Sequence, residues 1–293
     1  MNTTGKGTIA LLLAASYGMY GIYSRLIGGH FGEFTQSWTK NAIIISLLSI
    51  FLIIKKSWKQ IERNDWKWMI LWPLSDVISI VLLYIAFNNL SIGTSYFLLY
   101  ATMIIGGFIF GSLLYKEQVN KVKALSIILS LVGLSLIFSV EFSPGKFRFM
   151  IFGLLAGIST ALWNALSKKV SDRYPNTQLV FIDAAVALAA TLIGSLIVQD
   201  AVPPFTNPVW TWQILYAVTQ ICAVAFVIIG FRYLEAQVAS VILPIEVIFG
   251  VIFGFFFFGE ILPLKSLLGG LLIVSAAALP YIRTKSNTIT NTP

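Results

Sequence analysis

The chain has 293 residues, of which 57% are hydrophobic and only 11% charged, and its mean hydropathy is +0.85. A soluble chain carries about 25% charged residues, so a water-soluble fold is excluded and a polytopic membrane protein is indicated. The net charge of +8 does not mark a nucleic-acid binder: lysine and arginine come in short bursts between apolar runs, as in KKSWKQIERNDWK at 55–67, not along one face.

A bilayer core takes roughly 20 apolar residues of helix. In chain order, such runs fall at 8–27, 34–54, 68–88, 92–114, 121–139, 148–167, 177–197, 210–231, 236–258 and 264–282. The fold class expected is therefore an all-α membrane protein of ten transmembrane helices. Short connections make neighbours antiparallel. The opening MNTTGKGTIALLLAAS has the outline of a signal peptide, but an internal repeat runs through the would-be cleavage site. After Ile282 the polar RTKSNTITNTP (283–293) reads as disordered, with a polar cytoplasmic tail at 284–293. The single cysteine, Cys222, excludes an intrachain disulfide and reads as a small buried hydrophobe.

Orientation follows from lysine and arginine. With a cytoplasmic N-terminus the inside segments hold 15 of them and the outside segments 4, with Lys40 left inside a span. That places both termini in the cytoplasm of a multi-pass cell-membrane protein.

The chain repeats itself. At a shift of 143, Ser16 meets Ser159, Tyr20 meets Trp163, Ser24 meets Ser167 and Arg25 meets Lys168; Gly107 meets Gly250, Gly111 meets Gly254 and Glu117 meets Glu260. Between these the shift is 144, laying WKWMIL at 66–71 over WTWQIL at 210–215 and Leu90 over Leu234. Each copy holds five spans, and five is odd, so the second copy enters the membrane upside down. Inverted repeats of this kind belong to secondary transporters, where two related halves exchange open faces around a shared site.

The phrases GFIFGSLLYKE (107–117) and GVIFGFFFFGE (250–260) are each followed by a small-residue span, ALSIILSLVGLSLIF (124–138) and LLGGLLIVSAAALPY (267–281). With TSY (94–96), AQVAS (236–240) and Pro244, they resemble the drug/metabolite transporter superfamily in its branch with two EamA domains. The resemblance implies a first EamA repeat at 1–143 and a second at 144–283. It implies a central cavity built from the first four helices of each half, with the fifth and tenth helices peripheral and able to associate into a homodimer. Where the family carries arginine at the start of its second helix, this chain has Lys40, and the matching position of the second half is Asp183.

Ionisable groups inside a bilayer cost on the order of 2.5–3.5 kcal/mol each, so they default to function. Four stand out: Lys40, Asp76, Asp183 and Glu246. Asp76 and Glu246 fall near mid-depth and are the proton-coupling candidates, because a carboxylate in a water-poor cavity can bind and release a proton near neutral pH. The competing reading is that Lys40, Asp76 and Asp183 are buried pairs tying helices together, although two acids and one base leave an acid over. Substrate-binding candidates are Lys40 and Asp183, the repeat-equivalent Tyr20 and Trp163 with nearby Ser16 and Asn164, then Tyr84, Tyr100 and Gln220, the last being the counterpart of Asp76. Aromatic walls suit an amphipathic or cationic guest, and plain packing is the alternative. Gly107, Gly111, Gly250 and Gly254 are read as helix-packing positions, each pair sharing one helix face. Pro244 should break its helix two residues before Glu246 and free backbone carbonyls beside the acid. Glu117 and Glu260 end their helices, where the dipole disfavours negative charge; they read as loop-fixing residues balanced by Lys121 and Lys265.

Enzyme signals are poor. The one histidine, His30, lies in a loop, and no metal cluster, phosphate-binding loop or nucleophile–histidine arrangement is visible. No cofactor and no nucleic-acid partner is expected. The reading is a secondary transporter of small organic metabolites (amino acids or related compounds, or drug-like amphiphiles), working by alternating access and coupled to protons for export. The alternatives are a membrane-embedded enzyme acting on a lipid-borne substrate and a passive facilitator.

Overall fold

A computed structural model describes residues 2–17, 19–27, 30–138, 144–261 and 263–289; at residues 20, 21, 24, 33, 144 and 282–289 only the backbone is described. The described chain is helical. The first half contains α1 (Thr3–Tyr17), α2 (Tyr20–Ile27), α3 (Glu33–Lys55), α4 (Trp66–Asn89), α5 (Ile92–Tyr115) and α6 (Lys121–Ile137). The second contains α7 (Phe147–Val170), α8 (Asn176–Val198), α9 (Val209–Tyr233), α10 (Ala236–Ile242), α11 (Ile245–Phe258) and α12 (Leu264–Ile289). Eight stretches among the described residues are long and apolar enough to cross a membrane, α10 and α11 counting as one. The other two spans are the 17-residue α6 and the pair α1–α2. The chain is an all-α membrane protein built as two inverted five-span repeats.

Local chemistry fixes the ends. Ser91 and Asn120 accept the N–H groups of Thr94 and Lys123 and so cap α5 and α6. Lys56, Lys116 and Gln199 turn left-handed where α3, α5 and α8 stop, and Gly259 does so after α11. Pro244 sits between α10 and α11, and the N–H groups of Glu246 and Val247 bond three residues back, to the carbonyls of Leu243 and Pro244, both at 3.0 Å. The expected break before Glu246 is therefore present.

Two expectations need correction. The first span starts earlier than residue 8 and is broken after Tyr17, where Met19 N–H bonds the Tyr17 carbonyl at 2.7 Å. Nor does helix stop at Ile282: α12 continues to Ile289, covering residues expected as disordered tail. Once a helix is nucleated, each added residue gains a hydrogen bond, so polar residues can extend an apolar helix.

The repeat axis organises the packing. α3 packs on α8 and α6 on α12, the two pairs that relate to themselves; α4 packs on α7, and α1 on α9, which are counterparts. α6 and α12 touch backbone to backbone. A methyl added at Gly133 would stand 2.6 Å from the Gly269 carbonyl oxygen, and one at Gly269 2.5 Å from that of Gly133. These glycines join the two halves of one chain, the close approach that small residues permit in lipid.

Equivalent seams differ. α5 and α7 are unbroken and pack along their length: Thr102 donates to the Leu154 carbonyl at 2.9 Å, and Tyr115 to that of Ala165 at 2.7 Å. Their counterparts, the broken α10–α11 and α1–α2, make a thinner contact.

Candidate functional site

Lys40 of α3, Asp76 of α4 and Asp183 of α8 converge between the halves, near enough for their charges to interact through space. None forms a direct ion pair with another among the described residues. Lys40 is 8% exposed and its ammonium lies 4.6 Å from the centre of the Tyr216 ring, a cation–π contact that partly replaces lost water. Asp183 is 6% exposed and accepts a 2.9 Å hydrogen bond from Trp163 Nε1. Asp76 is half-buried. At 1.5 Å per residue, Lys40 and Asp183 each lie about 10 Å along their helices, entering from opposite faces, and Asp76 about 15 Å along α4. The trio thus runs across the middle of the membrane.

Aromatic side chains wall this column. Trp72 stacks on Trp163 at 6.3 Å between ring centres, and Tyr216 on Tyr23 at 5.3 Å. Neither Trp72 nor Tyr216 stood among the expected site residues. They are repeat counterparts, the next position after WKWMIL and WTWQIL, so extending that register by one residue finds both. Gln213 of α9, also not anticipated, is fully buried and donates to Thr39 Oγ1 at 2.7 Å, beside Lys40 in sequence.

Glu246 of α11 stands apart from the trio. It is half-buried and accepts a hydrogen bond from the Tyr100 hydroxyl of α5. Tyr100 stacks on Tyr96 at 6.2 Å, which stacks in turn on Phe138 at 6.0 Å. The acid is thus held just after the break between α10 and α11 and bonded across to the other half.

The remaining candidates scatter. Tyr20 lies in α2 and its side chain is outside the described residues. Ser16 bonds its own helix through the Leu13 carbonyl at 2.8 Å. Tyr84 packs edge-on against Phe34 at 5.5 Å. Gln220 is half-buried on α9. Asn164 is 1% exposed, and neither polar atom of its amide has a hydrogen-bond partner among the described residues.

The four packing glycines divide, which corrects their common reading. A methyl at Gly107 would collide with the Ser240 side chain of α10, so that glycine is a close-approach point. Gly250 makes no such contact among the described residues. Gly111 and Gly254 share another purpose. A methyl at Gly111 would lie 2.6 Å from Glu117 Oε2, and one at Gly254 2.5 Å from Glu260 Oε2. In each copy the chain turns left-handed after the helix, the glutamate N–H returns to that glycine's carbonyl (3.2 and 3.4 Å), and the carboxylate folds over the bare glycine.

The balance of charge also differs from expectation. Glu117 accepts from the first two N–H groups of α10, Ala236 at 2.7 Å and Gln237 at 2.9 Å, and lies 3.5 Å from Lys168 Nζ, rather than pairing with Lys121. Those N–H groups have no partner within their own helix. Glu260 pairs with Arg25, whose guanidinium lies 4.0 Å over the Phe258 ring.

The EamA-like transporter family matches this chain twice, at residues 6–139 and 148–282. The chain belongs to that family. It is a membrane transporter of the drug/metabolite superfamily, and the ten spans and inverted halves are its EamA repeats. An uncharacterized transporter of Archaeoglobus fulgidus is 29% identical over 174 residues, 58% of this EamA chain. The match spans 60% of that relative's length. A solved crystal structure shares the fold at a TM-score of 0.79 and 12% identity, covering 96% of this chain and 98% of the other.

Proposed function

We propose that this EamA-family protein moves small organic solutes by alternating access and couples the movement to protons. The observation carrying the reading is the column Lys40–Asp76–Asp183, walled by aromatic pairs and held between inverted halves whose equivalent seams differ. Buried charges without direct ion-pair partners are costly to keep for stability alone. Fixed charges of both signs suit amino acids or related metabolites, and the aromatic walls suit amphiphiles. Asp76 and Glu246 are the proton carriers in this reading. The termini lie in the cytoplasm, from the excess of lysine and arginine on that side, and the protein works in the cell membrane.

A solute screen by counterflow in sealed proteoliposomes tests this. A transported solute should exchange without a gradient and accumulate when a proton gradient is imposed. Glu246→Gln should keep exchange and lose accumulation. Accumulation unchanged in Glu246→Gln would remove the coupling role; no exchange of any solute tried would contradict transport of this solute class.

A further inference from the structure

We infer that Glu117 docked on the start of α10, and Glu260 docked on the start of α5, are two equivalent gate latches of the transport cycle, the first engaged in this structure and the second released. The inference rests on the alternating-access reading above. The two sets coincide in the repeat: Glu117 with Glu260, Lys168 with Arg25, Gly111 with Gly254. Each glutamate also pairs with the first span of the other half, Glu117 with Lys168 and Glu260 with Arg25, and both pairs are formed in this structure; what parts when a latch releases is the fourth span of the facing half. The turn that presents the glutamate is the same in both, down to the carboxylate over its glycine.

What differs is the third partner. The Glu117 side chain is 5% exposed, with the start of α10 docked on it, and Lys168 also donates to the Leu234 carbonyl at 2.8 Å. The Glu260 and Arg25 side chains are 51% and 56% exposed. By the repeat, Glu260 should meet the first N–H groups of α5, those of Ile92 and Gly93. No carboxylate reaches these among the described residues, and Ser91 caps the helix from within its own turn. In the opposite state Glu117 would release α10, and Glu260 would close on α5.

Thiol labelling tests this in full-length protein carrying Cys222→Ala. The probe is Ser240→Cys, fully buried under Gly107 behind the engaged latch, and the reagent is a water-soluble maleimide. Glu117→Gln, or Gly111→Ala as a second route that keeps the charge, should speed labelling on the order of tenfold, the effect of losing one charge-assisted hydrogen bond. Glu260→Gln should slow it, because the charge it removes docks on α5 only in the state in which the Glu117 end is open; a merely structural role would not reverse the sign. Labelling unchanged by both Glu117→Gln and Gly111→Ala overturns the proposal, as does acceleration by Glu260→Gln. Labelling needs no substrate, so a failure of counterflow by the unsubstituted protein would count against transport alone, and the latches stand or fall on the labelling rates.

Discussion

Glu117 accepts the N–H of Ala236 at 2.7 Å, so the second residue past α5 is tied to the first residue of α10 in the other half. The bond depends on Gly111, because only a residue without a side chain leaves room for the carboxylate to lie back over its own helix. A phrase that reads as a packing motif thus also works as a bracket for an acid.

Gly111 and Gly250 should therefore respond oppositely to alanine. At Gly111 the methyl meets Glu117 Oε2 at 2.6 Å and Gln237 Cγ at 2.8 Å, and overpacking of this kind costs about 1–3 kcal/mol. At Gly250 an added methyl would meet no other described part of the chain within 4 Å, and the helix propensity of alanine should make the change neutral or favourable by up to about 1 kcal/mol. Thermal unfolding in detergent checks both; equal destabilisation would contradict the geometry.

Trp163 and Asp183 should behave as a coupled pair. Trp163→Phe leaves a carboxylate that is 6% exposed without its 2.9 Å donor, a loss of about 1–3 kcal/mol. Adding Asp183→Leu removes the stranded acceptor and should restore most of that stability, since replacing both partners by apolar groups is nearly neutral. A double-mutant cycle measures it, and simple additivity would mean that the bond contributes nothing.

Tyr174 offers a pH signature outside the membrane spans. It is 3% exposed, accepts Glu62 N–H at 3.0 Å and donates to Asp65 Oδ2 at 2.7 Å, joining the 56–65 and 171–175 connections of the two halves. Burial first, then the Asp65 and Glu62 carboxylates, raise its phenol above the ordinary 10.0, against the opposing pull of the Glu62 N–H. A raised folded-state value adds stability that is present below the ordinary value and lost as pH rises through the folded one. Unfolding temperature should thus fall more steeply in the wild type than in Tyr174→Phe above about pH 10. Parallel curves would count against it.

Much of the fold was legible because the bilayer imposes one period and one length. Most spans fall within a few residues of where hydropathy puts them, and Pro244 announces its break. The break after Tyr17 carries no proline, and the helical end of α12 is too polar to read as a span. The site was less legible. Lys40, Asp76, Asp183 and Glu246 stand out as charges in apolar runs, but Trp72 and Tyr216 look like any interfacial aromatics until the repeat register is carried through them. The partner of Glu117 lies 119 residues away, and local charge pointed to Lys121 because nearness in sequence was the available guide.

Gly133→Leu should separate α6 from α12, since its side chain would enter the Gly269 backbone. A loss of about 1–3 kcal/mol is expected, read as a lower unfolding temperature of the single chain and not as a change in oligomeric state. An unchanged temperature with altered assembly would move those glycines to an interface between copies.

The most direct test of alternating access is to pin the engaged end. Ser112 Oγ and Gln237 Nε2 lie 2.9 Å apart across the Glu117 gate. With Cys222→Ala, Ser112→Cys and Gln237→Cys, a short bis-methanethiosulfonate, which forms a disulfide with each thiol and releases methanesulfinate, should bridge them and stop counterflow in proteoliposomes, and reduction of the two disulfides should restore it. Counterflow that continues at the unmodified rate with the bridge fully formed would contradict the account.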